Sequence, residues 1–518
     1  QRAIKESDGI ADDLKPKLIN KLNAEAGALK HAIDIATGLV SRPVNVNAAK
    51  IGADIRALES MSKLGAAVVS SITDTLTAGA AAHFRGSNFF ASTMRQIGGM
   101  MQGRPRGEQG EIAYLLGEGF DGMLGHIASN GYAIDGPVGR LGKWQEGFFK
   151  WSGLTWWTDV GRAVAGRTIA AELGMHAGTA WAALPRQFRH VLEQGGFTES
   201  EWSTLGRAVL RQDNGKPYMT PDRIRELSDD DVLPLAQGRV DAIIARGGAD
   251  VEARVRQVLD DTRRQLEIKM LAYVADQTSF AVIKTDARAQ RYSTAGQRPG
   301  TLAGEAVRFI MQFKGYPLAF TTRVVGRALF GYAKGDSAKV AHIGQLLGGL
   351  VIAGYMAMVA KDTLKGYWPP RNPADPRTIL AAFQQSGALG IYGDFLFSKV
   401  NRFGGGITET VLGPSIGTIG DLANIALDAR DAAITGGDDS FSAARAFNTV
   451  TSSVPYANLH LLKPAVDFLI LNSIREAISP GYMRKQAKSR ATEYGQQSVG
   501  AMIGAPPALD PLNIASGF

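Results

Sequence analysis

Apolar positions recur every three or four residues along most of the chain. The clearest case spans residues 250–277. Val251, Val255, Val258, Leu259, Thr262, Leu266, Met270 and Tyr273 form one face, and Arg254, Asp261, Arg263, Arg264 and Lys269 fill the other. That period predicts an amphipathic helix with one buried side. Similar patterns predict long helices over residues 9–40 and 47–84. The second becomes rich in small residues from 65 to 82, which predicts a helix–helix contact strip; Asp74 in its middle weighs against a second membrane stretch. Start signals are frequent. Thr198-Glu199-Ser200-Glu201 reads as a capping box, and Thr220-Pro221 and Ser479-Pro480 place a cap before a first-turn proline. Strand signals are scarce. Asp213-Asn214-Gly215 has hairpin turn chemistry, but its flanks read as one helix ending and another beginning, so a loop is expected.

One stretch departs from the amphipathic pattern. Residues 340–360 hold no charged side chain, with Lys339 and Lys361 on either side. As a helix this run would be about 31 Å long, close to the hydrocarbon thickness of a bilayer. It contains Gly344-x-x-x-Gly348 and Ala353-x-x-x-Ala357, small residues four apart that let helices approach closely. Gly344, Gly348, Ala353 and Ala357 are therefore candidates for helix packing or membrane contact. The same run also suits a buried central helix of a large helical protein.

The fold class expected is all-α: an elongated, multi-subdomain protein of long helices with Gly- and Pro-rich joints. Four regions are expected. Residues 1–135 are N-terminal and helical, 136–247 are helical and Trp-rich, 248–339 hold the long helix and a basic helical block, and 340–518 hold the apolar helix and a C-terminal helical part. The stretch after Gly504 is proline-rich and expected to be extended.

Composition narrows the chemistry. Among 518 residues there are 61 Gly and no Cys, so disulfides, thiolate metal sites and cysteine nucleophiles are excluded. The opening Gln1 to Asp8 has no apolar signal-peptide core, and a chain without an initial Met is expected to be processed or part of a longer polypeptide. The net charge of +8 is unevenly spread. Residues 284–339 carry ten basic side chains against three acidic ones, a local +7. Lys284, Arg288, Arg291, Arg298, Lys314, Arg323 and Arg327 belong to this block; Arg484, Lys485, Lys488 and Arg490 form a second cluster. Such clusters favour phosphate, in nucleic acid or lipid headgroups, although a solvated helix face has the same composition. Trp144, Phe148, Phe149, Trp151, Trp156, Trp157 and Trp181 crowd into one stretch. That density predicts a subdomain core or subunit interface, with an interfacial helix as the alternative given Lys143, Lys150 and Arg162.

Catalytic signals are weak. The seven histidines lack helical i, i+4 pairing, so no metal site is expected. Residues 136–144 imitate a phosphate loop with wrong spacing, and Trp144 stands where a magnesium-binding hydroxyl belongs. Gly413-Pro414-Ser415-Ile416-Gly417 matches G-x-S-x-G, but no parallel sheet is predicted to carry a nucleophile elbow. No enzyme activity and no cofactor are expected.

Gly296 to Glu305 reads G-x-x-P-G-T-x-x-G-E, and Arg308 to Pro317 reads R-x-x-x-Q-F-K-x-x-P. This segment resembles one in large internal virion proteins of short-tailed bacteriophages and in prophage-encoded polyvalent proteins. Residues 387–397, Gly413-Pro414-Ser415 and Ser479-Pro480-Gly481-Tyr482 resemble the same family. The resemblance covers the C-terminal half and implies a role. Such proteins lie in the capsid near the portal, leave with the genome, and help build a conduit across the host envelope. It implies as partners further copies of the chain in a ring, other internal virion proteins, the portal, DNA and the host membrane. The alternatives are a capsid-internal protein that organises DNA or portal without entering a membrane, and an injected effector enzyme.

Overall fold

The computed structural model describes residues 14–40, 42–64, 71, 74–117, 140–248, 250–283, 294–312, 314–332, 338–364, 366–386, 471–478 and 481–498, with 447, 451, 454 and 459 singly. Among them the fold is all-α, with two short antiparallel strand pairs. In chain order the helices are α1 (Leu14–Ala36), α2 (Val46–Lys63), α3 (Asp74–Phe84), α4 (Phe89–Met101), α5 (Glu108–Leu115), α6 (Arg140–Trp151), α7 (Leu154–His176), α8 (Arg186–Gln194) and α9 (Glu199–Leu205). After strands β1 (Arg211–Asp213) and β2 (Lys216–Tyr218) come α10 (Pro221–Arg225), α11 (Asp229–Arg246), α12 (Val251–Ala281), α13 (Leu302–Ile310), α14 (Gly315–Ala319) and α15 (Gly326–Phe330). Helix α16 (Ala338–Leu364), strand β3 (Tyr367–Trp368), α17 (Pro376–Gln385), α18 (Asn472–Ile478), α19 (Tyr482–Tyr494) and strand β4 (Gln497–Ser498) complete the order.

The starts follow the capping chemistry. Asn45 and Asn88 accept from the backbone N–H three residues on, at 3.1 and 3.0 Å. Thr198 with Glu201 and Ser228 with Asp231 form complete capping boxes on α9 and α11. The 250–277 pattern becomes α12, 31 residues long. Its predicted apolar face is the buried one at Leu259, Leu266, Met270 and Tyr273.

The expected helix over 47–84 is two helices, α2 and α3. The small-residue strip holds where α3 covers it: Ala78, Ala80, Ala81 and Ala82 are buried. A Cβ on Gly79 would sit 1.9 Å from Thr93 Oγ1, so α3 and α4 are closer than any other residue allows. The expected loop at 211–218 is a hairpin instead. Arg211 to Asp213 pair with Lys216 to Tyr218 around Asn214 and Gly215, both at positive φ, +49° and +73°. Tertiary support explains why three-residue strands persist. The Met219 amide donates to Ala170 O at 3.1 Å, and Gly174 leaves room for Pro217 O, 2.5 Å from where its Cβ would be. Arg211 ties the hairpin to Glu108, Glu111 and Asp222 at 2.8, 3.0 and 2.9 Å. Its guanidinium is pushed above its ordinary value, first by the Glu108 hydrogen bond.

The main core packs α7 against α12, with Ile169 and Leu173 meeting Leu266, Met270 and Val274 under Phe188, Trp202 and Leu205. Phe84, Ile112 and Tyr332 join that cluster, so it draws on the first three sequence regions together. A second cluster seats α16: Leu346, Leu350 and Ala353 lie on Leu76, Ala80, Phe89, Phe320 and Val324. Residues 387–397, the Gly413–Gly417 motif, Ser479-Pro480 and the tail after Gly504 lie outside the described residues.

Candidate functional site

Helix α16 is the one described helix long and apolar enough to cross a membrane, 26 residues from Lys339 to Leu364, with a mean hydropathy of 1.8 over its most apolar 18 residues. Its two sides differ. Leu346, Leu350, Ala353 and Ala357 are buried at the spacing of one helical stripe. Burying a leucine of this kind contributes about 1.5–3 kcal/mol. The opposite side is an apolar line at every fourth residue: Val340 (75% exposed), Gly344, Gly348, Ile352 (54%) and Met356 (53%). Beside it Leu347 is exposed as well.

This arrangement corrects part of the packing expectation. Ala353 and Ala357 do make the close contacts. Gly344 and Gly348 do not: a Cβ at either would meet nothing within 4 Å. The glycines that admit neighbours are Gly349, where a Cβ would lie 2.9 Å from the Phe89 ring, and Gly354, where it would lie 1.8 Å from Ala382 O of α17. The sequence held a glycine on each side, and only the neighbours decide which side is inward.

Both ends of α16 are pinned by polar contacts. Near its start the imidazoles of His342 and His83 stack at 5.3 Å with planes 3° apart, beside Phe84 and Tyr332. Near its end buried Asp362 accepts from Arg371 Nε at 2.8 Å and Gln496 Nε2 at 3.1 Å. The Arg371 and Arg490 guanidiniums lie over Tyr494 and Tyr367, at 4.0 and 4.4 Å. Spacing did not reveal Asp362, Arg371 or Gln496, because the three come together from separate elements.

The basic candidates divide. Lys284, Arg288 and Arg291 lie outside the described residues. Arg298 is exposed, with its Nε donating to Arg42 O at 3.0 Å. Lys314 is half-buried. Arg323 is largely covered, 5.2 Å over the Phe280 ring and 3.9 Å from Asp276. Arg327 faces inward, contrary to expectation. It is sandwiched between the Phe84 and Phe280 rings at 4.0 Å each and donates to Gln277 Oε1 at 2.8 Å. Burial, then the nearby Arg85, lowers its pKa to about 9. Its guanidinium is enclosed by the two rings and does not present a surface for phosphate. In the second cluster Arg484, Lys485 and Lys488 are exposed on α19, while Arg490 turns toward Asp362 at 3.9 Å.

No protein-family model, curated protein or solved structure matches the chain.

The motif at 296–317 therefore has to be read from its own contacts, and these are structural. Thr301 caps α13 by accepting from Gly304 N at 3.0 Å. Glu305 Oε1 accepts from Gly300 N at 2.8 Å, and its Oε2 pairs with Arg56 at 2.6 Å. Gly300 (φ +77°) and Gly304 have no room for a Cβ: it would lie 2.1 Å from Asn45 O and 2.0 Å from Arg298 O. Gly52 on α2 makes the matching space, since a Cβ there would lie 2.1 Å from Glu305 Oε2. Arg308 donates to Gln297 O and Gly304 O, and Gln312 to Arg56 O. Through Gly300, Thr301, Gly304, Glu305, Arg308 and Gln312 the motif forms a clasp that fastens α13 to α2. Among the described residues no group of three metal-ligating side chains converges.

Proposed function

We propose that this chain is a non-enzymatic internal virion protein of a short-tailed phage, which leaves the particle with the genome and helps form a DNA conduit across the host envelope. The observation that carries this reading is the exposed apolar line on α16, on a helix of membrane length held by one face only. Such a helix can leave its seat for lipid at the cost of its buried stripe, the seam with α17 at Gly354 and the Asp362 contacts. The exposed cations Arg484, Lys485 and Lys488 on α19 add a surface for phosphate. In this role the chain lies in the virion interior near the portal, then in the host envelope. It works with further copies of itself, other internal proteins, the portal and DNA, and needs no cofactor.

Mass spectrometry of purified particles before and after triggered ejection tests the reading. The chain should be present in full particles and missing from emptied ones. Purified protein should also release dye from vesicles, and Ile352→Asn with Met356→Asn should abolish release without lowering the melting temperature. A second reading is favoured by the buried stripe of Leu346, Leu350, Ala353 and Ala357: a capsid-internal protein whose α16 is a permanent core helix. Retention of the chain in emptied particles, with no dye release, would establish that alternative.

A further inference from the structure

The tryptophan-rich stretch is only partly a core. Phe148 is fully buried with Met61 and Leu459, and Leu64, Leu141 and Phe149 pack around them, which fixes the inner side of α6. Trp157 also turns inward and donates its indole N–H to Ser71 O at 3.1 Å. Trp144 and Trp151, four residues before and three after Phe148, border that inner side and are nonetheless 59% and 77% exposed. Seven residues apart on a helix, they share one direction and are separated by about 10.5 Å along the axis. Arg140 is exposed about 40° round the helix from Trp144, and Lys143 and Lys150 are exposed about 100–120° round it, flanking the indoles, with Lys150 paired to Glu146 at 2.5 Å. Trp156, at the start of α7, is exposed next to this face.

Exposed indoles beside cations form an apolar patch of the kind that marks an interaction surface. The chemistry of the face selects the cover. An indole has an apolar body and a polar N–H, which suits the boundary between headgroups and acyl chains. Flanking cations complement anionic headgroups, each contributing about 1 kcal/mol near such a surface. Shape argues the same way. The face is the convex side of a helix, and a plane lies tangent to a convex ridge. Single-stranded nucleic acid is held in a groove by rings spaced for successive bases, and neither feature is present along α6.

We propose that the Trp144–Trp151 face of α6, with Arg140, Lys143 and Lys150, docks the protein on the surface of an anionic lipid bilayer. The inference rests on the reading that the protein meets the host membrane, and it gives that meeting a first contact distinct from α16. The face lies flat in the interface, with the indoles at headgroup depth and the cations beside phosphate.

Flotation of the full chain with vesicles tests it, using phosphatidylcholine alone or mixed with phosphatidylglycerol. The parent should float with the mixed vesicles and lose binding in high salt. Brominated phosphatidylglycerol should quench its tryptophan fluorescence. Trp144→Ser with Trp151→Ser should lose flotation while keeping the parent's circular dichroism and melting temperature. Lys143→Gln with Lys150→Gln should weaken binding by roughly 30-fold, the equivalent of two headgroup contacts. Trp144→Phe with Trp151→Phe should restore part of it. If the serine variant floats like the parent, the docking face is wrong while the membrane reading stands. If the parent floats with neither vesicle, the membrane reading itself fails, and the inference with it. If the serine variant loses affinity for a single-stranded oligonucleotide but not for lipid, the face belongs to nucleic acid and the proposal is overturned.

Discussion

At Gly354 a single methyl group would meet Ala382 O at 1.8 Å, whereas at Gly348, on the same helix, it would meet open space. The two positions therefore respond oppositely to alanine. Gly348→Ala should raise stability by about 0.5–1 kcal/mol, since glycine is the poorer helix former. Gly354→Ala should lower it by about 1–3 kcal/mol, because α16 and α17 must move apart. Urea melts of the two variants check this; equal shifts of one sign would mean that the seam is not where these contacts put it. The arginines show the same dependence on direction. Arg327→Gln leaves the Phe84 and Phe280 rings without their cation, so it should lower the melting temperature without changing affinity for polyphosphate. Arg484→Gln with Lys488→Gln, both exposed, should leave melting unchanged and reduce the salt dependence of DNA binding by up to about two units of slope.

Between elements, the capping boxes double as joints. Glu201 closes the α9 cap on Thr198, and both of its oxygens accept from Lys269 of α12 at 2.7 Å. Burial pushes its carboxyl up, but the Lys269 and Thr198 hydrogen bonds outweigh this and hold it below its ordinary value of 4.5. Asp231, through Ser228, and Asp222, where Thr220 and Arg211 overcome burial, are held below 3.8 in the same way. A carboxylate depressed in the folded state binds fewer protons there than in the unfolded chain. Its stabilisation is complete above the ordinary value and is lost as pH falls through the folded value. The joint between α9, α11 and α12 should therefore weaken only below about pH 4.5. Glu201→Gln should cost about 1–2 kcal/mol at neutral pH and flatten the acid limb of stability against pH. Melts from pH 6 to pH 2, read at roughly unit steps, check the slope. A variant with the parent's acid limb would show that Glu201 is not one of the groups titrating there.

Across the whole molecule, burial is unequal. The α7–α12 core joins residues from nearly every described helix between Phe84 and Val274, whereas α16 rests on a smaller cluster and one helical stripe. Regions with fewer buried contacts open at lower free energy. Hydrogen exchange should therefore find the slowest amides around Ile169–Leu173 and Leu266–Val274, with α16 exchanging earlier and as one unit with α17. That order is what the proposed release of α16 requires. Slow exchange of α16 together with the main core would favour the capsid-internal reading. The two exposed apolar faces, on α6 and α16, are separate surfaces of the molecule.

The pattern of apolar residues determined the helical class, the face of α12 and the membrane length of α16, because these depend on a period of 3.6 residues and on nothing distant. Caps at Thr198 and Thr301 were equally local, each acting within three residues. Direction was not local. Whether Gly348 or Gly349 packs, whether Arg327 or Arg484 meets solvent, and whether Trp151 or Trp157 is buried are questions about what lies opposite. Each pair has the same chemistry in sequence, and only the neighbouring helix separates them. The hairpin at Asn214-Gly215 shows the other side of this. Its turn was written in the sequence, but strands of three residues persist only because Gly174, Ala170 and the carboxylates around Arg211 hold them. Apolar period acts along one chain segment, and burial acts between segments, so tertiary structure alone decided which half of each amphipathic choice became the core.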